Sequence, residues 1–245
     1  MPDPLISVII VCRNPGTRLQ TALASVWAQR NVDVELVVID GASTDGSSEW
    51  LETQRHRIAA LLSAADAGIY DAMNKGIAFA RGEWLLFLGA DDRLAHQDVL
   101  ATVAASLAQT TAAVGVGDAA FDDGRRYIFS GTSGAIRRNF VHHQGAFYRR
   151  TLFTQRGNFD LSLRLQADYD LNLRLLLAGE KFIPLSLHVS VCGSGGLSDS
   201  GRWQNYREEI TVRHRHFPRW QSGLWDAFAF VRYLRKNLIR RFART

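Results

Sequence analysis

Three short apolar runs constrain this chain most. They are Ile6 to Val11 (ISVIIV), Val34 to Ile39 (VELVVI) and Trp84 to Leu88 (WLLFL). WLLFL is wholly apolar, the other two are broken only by Ser7 and Glu35, and none alternates, as expected of strands buried on both faces of a sheet. Helical periodicity fills the intervals. Leu19, Ala22, Leu23, Val26 and Trp27 share one face of a helix predicted over residues 17–29. A second helix is predicted from Ser47 to about Arg57, opened by a Ser/Asp/Gly-rich loop, and a third from Tyr70 to Ala80, with Gly82 placed as its stop. A weaker apolar segment, Ile58 to Ser63, runs into Asp66. Strand–helix alternation of this kind predicts an α/β fold: a mostly parallel central sheet with helices on both faces, doubly wound.

The strands end in acid: Asp40, Asp66, and Asp91 with Asp92. In open α/β sheets ligands bind beyond the carboxyl ends of the strands, so these carboxylates are expected along one binding edge. The run EWLLFLGADDRL poses the sharpest case. Two adjacent carboxylates at a strand end suit a hard divalent cation, Mg2+ or Mn2+, with phosphate oxygens completing its shell. A solvated turn, or Asp92 opening a helix, is the plainer alternative. The loop DGASTDGS (40–47) reads as a tight turn and cap. The segment DAGIYDAMNKG (66–76) is denser in polar groups than a cap requires, and its helix start offers free N–H groups to an anion.

After about residue 110 the pattern changes to an α+β elaboration. Val114 to Asp118 reads as a strand, 122–126 as a turn, Tyr127 to Ser130 as a short strand and 131–139 as loop. A Leu-rich helix is predicted from Asp168 to Ala178, closed by Gly179. The stretch CGSGGLS (192–198) is either a loop that closes on substrate or a surface linker. The layout is therefore 1–110, a ligand-binding α/β half; 111–200, a second half of the same domain; and 201–245, a helical extension.

Two cysteines, Cys12 and Cys192, exclude a disulfide-built fold and read as reduced thiols of a cytoplasmic protein. No Cys/His spacing suggests zinc. VGVGDAA (114–120) fits a GxGxxA pattern, but Asp122-Asp123-Gly124 breaks the chain where a dinucleotide site needs a helix. No run reaches the ~20 apolar residues of a membrane-spanning helix. The net charge of +5 sits in the tail: residues 219–245 hold seven Lys/Arg and one Asp. There Leu224, Phe228, Val231, Leu234, Leu238 and Phe242 share one helical face. A basic amphipathic helix fits an anionic membrane surface. Packing of that face on the domain is the alternative, and nucleic acid is not expected as a partner.

Three segments then resemble family 2 glycosyltransferases of the GT-A (Rossmann-like) fold: ISVIIVCRN, VVIDGASTDGS and DAGIYDAMNKGIAFARGEWLLFLGADD. The resemblance covers roughly the first 100 residues in order. It implies transfer of a sugar from a nucleotide-diphosphate sugar, UDP favoured, to an acceptor hydroxyl, inverting and metal-assisted, in cell-surface polysaccharide or glycolipid synthesis. The acceptor implied is a glycan or lipid-linked glycan. By the same resemblance Asp40, Asp45, Asp66, Asn74, Lys75 and Asp91 belong to the donor site, and Asp92 to a Mn2+ or Mg2+ ion. The segment HHQGAFYRR (142–150) resembles the one under the acceptor, placing His143 and Gln144 on the acceptor side, with Asp170 of the later ADYDL segment set beside them. The segment reaching ADYDL (167–171) resembles the one carrying the catalytic base, which assigns that role to Asp168. Asp168 is also a good N-cap. The sequence departs from the family's metal motif at Gly89, where an acid is usual. A metal-dependent nucleotide-sugar hydrolase or nucleotidyltransferase, or a non-catalytic nucleotide-sugar-binding module, is the alternative.

Overall fold

A computed structural model describes residues 5–194 and 202–242, with side chains of the last helix described to 238. In chain order the elements are β1 (Ile6–Cys12), α1 (Arg18–Trp27), β2 (Val34–Asp40), α2 (Ser47–Thr53), β3 (Ala60–Ser63), α3 (Ile69–Phe79), β4 (Trp84–Gly89), β5 (Arg93–Leu94) and α4 (Val99–Leu107). The second half adds β6 (Val114–Phe121), β7 (Arg126–Tyr127), β8 (Ala146–Arg149), α5 (Thr151–Arg156), α6 (Ala167–Leu177), β9 (Phe182–Cys192), α7 (Trp203–His216) and α8 (Arg219–Phe242).

Among the described residues, nine strands form one sheet in the order β3-β2-β1-β4-β8-β6-β9-β5, with β7 beside β6. The first four are mutually parallel. β8 enters antiparallel between β4 and β6, and β9 runs parallel to β6. The α/β architecture with a mostly parallel sheet is thus present, and both halves of the chain build it.

Successive residues of a strand point to opposite faces, which explains the continuous apolar runs. Ile9, Val11, Val37, Ile39, Leu85 and Phe87 enter one core with α3 and α6. Val8, Ile10, Val38, Leu86 and Leu88 enter a second core with α1 and α4. A buried polar cluster pins the edge. Glu35 accepts hydrogen bonds from the Ser7 hydroxyl and from the backbone N–H and Nε of Arg81. Gly82 donates to Ser7 Oγ at 2.8 Å.

The expected elements are corrected in detail. Gly82 is not a helix stop, since α3 ends at Phe79 with Ala80 as its cap. Gly82 is glycine because a Cβ there would lie 2.5 Å from the Ser7 backbone nitrogen. The second helix stops at Thr53, and a 3-10 turn covers Arg55–Arg57. The strand expected over 127–130 is reduced to the Arg126–Tyr127 pairing. The Leu-rich helix begins one residue early, with Gln166 at its cap position. Asp168 therefore lies in the first turn and is not the N-cap. Of the Gly-rich stretch, residues 195–201 lie outside the described residues.

The tail forms α8, packed on α7 through Trp203, Tyr206, Phe230 and Tyr233. Arg213 of α7 is wholly buried and bonded to Glu209, Asp226 and the Arg137 carbonyl. The predicted apolar face is not the packing face. Leu224, Phe228, Val231, Leu234 and Leu238 are all exposed.

Candidate active site

A cavity of about 500 Å3 opens where β1 and β4 end. Its walls bring together Asp66, Asp91, Asp92, His143 and Gln144 of the residues singled out from sequence. Arg13, Arg18, Arg125 and Arg164 line it as well. Acids beyond the strand ends, with arginines on the loops and at the start of α1, suit a ligand that combines hydroxyls with phosphate charge.

Tight backbone geometry sets the acidic end. Asp92 N–H donates to the Gly89 carbonyl at 3.2 Å, and Gly89 N–H donates to Asp92 Oδ2 at 2.7 Å. The chain thus folds back over Gly89. A Cβ at Gly89 would stand 2.9 Å from Asp91 Oδ1 and 3.0 Å from Asp92 Oδ2. A side chain at position 89 would therefore share its space with both carboxylates, which would have to shift to admit it. Gly193 donates to Asp92 Oδ1 at 3.3 Å, and a Cβ there would meet Asp91 Oδ2 at 2.6 Å. Burial, then the neighbouring Asp91 charge, pushes the Asp92 carboxyl up, against the Gly89 N–H.

A divalent cation bound there would offset that imbalance. Among the described residues no cluster of three or more His, Cys, Asp or Glu is placed to hold a metal ion. The two carboxylates still fit Mg2+ or Mn2+, which commonly takes one or two protein carboxylates and completes its shell from substrate phosphates and water.

Asp168 sits beyond the cavity wall, 8% exposed. Its Oδ1 accepts the Tyr70 hydroxyl at 3.0 Å and the Tyr169 N–H at 2.9 Å. Its Oδ2 accepts Asn139 Nδ2 at 2.8 Å and faces His143 Nδ1 at 3.3 Å. Burial pushes this carboxyl up, but His143, Tyr70 and the Tyr169 N–H outweigh it, so the net shift is downward. His143 and Tyr70 line the cavity; Asp168 does not.

The other expected donor residues, and Asp170 of the acceptor side, do not line this cavity. Asp40 is wholly buried and accepts from Ser43 N–H at 3.1 Å, Ser63 Oγ at 2.6 Å and the Ser43 hydroxyl. Asp45 accepts Gly16 N–H at 2.8 Å and Ser47 N–H at 3.1 Å, tying two loops together. Asn74 clasps the backbone of Phe159, donating to its carbonyl at 2.9 Å and accepting its N–H at 3.1 Å. Lys75 pairs with Asp71 at 3.0 Å and donates to the Ala65 carbonyl. Asp170 pairs with Arg174 at 2.9 Å and His216 at 2.9 Å, on a network outside the cavity.

Tyr70 and Asn139 join the site without a sequence expectation, and His142 enters it as a wall residue of the HHQGAFYRR segment. Tyr70 had a signal, lying inside the polar DAGIYDAMNKG segment. Asn139 had none, because its loop is brought to Asp168 only by the fold. Two buried polar atoms in the cavity wall, His142 Nδ1 and Gln144 Oε1, have no hydrogen-bond partner in the protein. A bound ligand can satisfy both.

The profile of the family described as Glycosyl transferase family 2 matches residues 7–162. A "PGL/p-HBAD biosynthesis glycosyltransferase" of Mycobacterium bovis is 35% identical over 209 residues, covering 82% of this chain and 81% of its own. Among solved structures, S. aureus TarS 1–349 in complex with UDP-GlcNAc aligns with TM-score 0.71 at 20% identity, covering 84% of this chain and 65% of that one. The chain spans 39% of the longer TarS chain. The mannosyltransferase PcManGT from Pyrobaculum calidifontis, in complex with GDP-Man and Mn2+, aligns with TM-score 0.62 at 19% identity, covering 98% of this chain and 80% of that one. These structures share the fold, and the profile and the mycobacterial relative share the sequence: the chain belongs to glycosyl transferase family 2 and is a glycosyltransferase.

Proposed function

We propose that the cavity binds a nucleotide-diphosphate sugar, with UDP as the favoured nucleotide, and passes its sugar to a hydroxyl of a glycan or lipid-linked glycan. The observation that carries this reading is the meeting of Asp66, Asp91, Asp92 and His143 in one cavity at the strand ends. The relatives bound to UDP-GlcNAc and GDP-Man support the donor class.

Asp91 meets the donor sugar and Asp66 the nucleoside end. The cavity arginines balance diphosphate charge. Asp92, with Asp91 beside it, would hold Mn2+ or Mg2+, which would supply positive charge against the charge that grows on the leaving diphosphate. The acceptor enters by the His143 side, where Asp168 draws its proton. A base on the face opposite the leaving group inverts the anomeric centre.

The second part of the proposal concerns place. Among the described residues no helix is long and apolar enough to cross a membrane. The exposed apolar stripe of α8 and its Lys/Arg excess fit peripheral contact with an anionic bilayer on the cytoplasmic face. A lipid-linked acceptor is then delivered from the same surface.

Calorimetric titration with UDP and GDP, with and without Mn2+, tests the donor reading. Binding of at least one nucleotide that Asp91→Ala weakens supports it. No binding of either nucleotide by the intact protein overturns it.

A further inference from the structure

We propose that Arg213 and Glu208 of α7 are positioning residues for the transfer step: they hold the two chain segments that set the Asp168 carboxylate in place. This rests on the transferase reading above, with Asp168 as the base, and gives the C-terminal helices a part in the chemistry.

Two irregular segments decide where Asp168 sits. The loop 135–139 brings Asn139, whose Nδ2 donates to Asp168 Oδ2 at 2.8 Å. Residues 164–166 lead into α6 and so set where its first turn, with Asp168, begins. Neither segment lies in a helix or strand, so no backbone ladder holds either one.

Side chains of α7 hold both. Glu208 Oε2 accepts the Leu165 N–H at 2.7 Å, and Asn205, one turn earlier, accepts Gln166 Nε2 at 2.5 Å. Further along the same helix, Arg213 Nη1 donates to the Arg137 carbonyl at 3.0 Å. The Tyr169 hydroxyl donates to the Ala135 carbonyl at 2.6 Å. The loop is thus tied at 135 and at 137, two residues before Asn139. From α8 comes one more grip, because the Arg137 guanidinium lies 4.9 Å over the Trp225 ring.

The charges around Arg213 argue for positioning over stability. Arg213 is wholly buried, and Glu208 is 8% exposed. Arg213 Nε donates to Asp226 of α8 at 2.8 Å, and Glu209 Oε1 accepts from both Arg213 and Arg232 at 2.5 Å. Two arginines and two carboxylates therefore balance within α7 and α8. A buried ion cluster of this kind adds little to stability beyond what apolar side chains of similar volume give. Apolar side chains cannot donate to the carbonyl of a distant loop. A guanidinium carries its N–H donors in one fixed plane. Asp226 and Glu209 set that plane, and the second hydrogen of Nη1 is aimed at Arg137.

Two measurements test this. The first needs no substrate: NMR of nitrogen-labelled protein follows the Asn139 side-chain amide, assigned by its loss in Asn139→Ala. In Arg213→Met its signals are expected to move to those of a solvated amide, while the backbone amides of β1, β2 and β4 keep their shifts. Unchanged Asn139 signals overturn the proposal. So does a collapse of the β1, β2 and β4 pattern, which makes Arg213 a general support of the fold. The second follows nucleoside diphosphate release from UDP-GlcNAc or GDP-mannose, with octyl glycosides as acceptors. Arg213→Met and Glu208→Leu are each expected to lose about 10-fold or more in kcat with nucleotide affinity unchanged. Glu208→Gln, whose amide oxygen still accepts the Leu165 N–H, is expected to recover most of that loss. In an Asn139→Ala background Arg213→Met is expected to cost nothing further. Losses that multiply, or wild-type kcat in both single variants, overturn the proposal. Should octyl glycosides not serve as acceptors, the amide signals decide. Failure of the base reading is distinct: Asp168→Asn then turns over as wild type, while the Asn139 signals still depend on Arg213.

Discussion

The Tyr70 hydroxyl donates to Oδ1 of Asp168 at 3.0 Å, across 98 positions of sequence. This bond joins α3 of the first half to α6 of the second at the cavity wall. Both groups are buried, so the bond is charge-assisted in a low-dielectric setting. Asp168 has a lowered carboxyl, so its contribution to stability is present above the unfolded carboxyl range and is lost as pH falls through the folded value. Tyr70→Phe is expected to cost about 1.5–3 kcal/mol at pH 7. The cost shrinks once pH drops below about 4. Urea unfolding at both pH values checks it; a cost independent of pH contradicts the role given to Asp168.

Asn74 separates positioning from binding. Its amide holds both backbone groups of Phe159, whose ring packs on Tyr70 at 5.3 Å. Asn74→Ala is expected to lower stability by about 1–3 kcal/mol and to leave nucleotide affinity unchanged. Denaturant unfolding and calorimetry together check this. A lost nucleotide affinity in a normally stable variant returns Asn74 to the donor site.

Gly82 tests the fold. A Cβ there meets the Ser7 backbone nitrogen at 2.5 Å and the Ile6 carbonyl carbon at 2.9 Å. Backbone of a central strand does not yield easily. Gly82→Ala is expected to destabilise by about 1–3 kcal/mol, the usual range for overpacking. A melting temperature equal to wild type contradicts the close approach.

The α8 stripe predicts membrane behaviour. Leu224, Val231 and Leu238 are 72%, 57% and 58% exposed, so glutamates there leave packing on α7 intact. The triple change Leu224→Glu, Val231→Glu, Leu238→Glu is expected to abolish sedimentation with phosphatidylglycerol vesicles, and added salt is expected to weaken wild-type binding. Equal sedimentation of both forms contradicts the membrane contact.

The parts of the fold that read clearly from sequence are those with local causes. β1, β2 and β4 are visible because burial on both faces demands largely apolar runs, and the acids that follow β2 and β4 mark the binding edge. β8 is only AFYR, and β9 contains Pro184 and a positive φ at Ser186. AFYR is too short to show a period; β9 does alternate, with apolar Ile183, Leu185, Leu187, Val189 and Val191 at every second position, and Pro184 obscures it. The site divides in the same way. Asp91 and Asp92 are legible from their position after β4. Asp40 and Asn74 have the right type and place but spend their hydrogen bonds on Ser43, Ser63 and Phe159. Only three-dimensional contacts distinguish a carboxylate that meets ligand from one that ties a loop.

The most direct test of the central claim follows the sugar. The intact protein is incubated with Mn2+, a membrane lipid extract and UDP-GlcNAc or GDP-mannose labelled in the sugar, and products are separated by mass spectrometry. The account predicts label in a new glycoside, with one nucleoside diphosphate released per sugar transferred. Label recovered only as free sugar or sugar phosphate contradicts it.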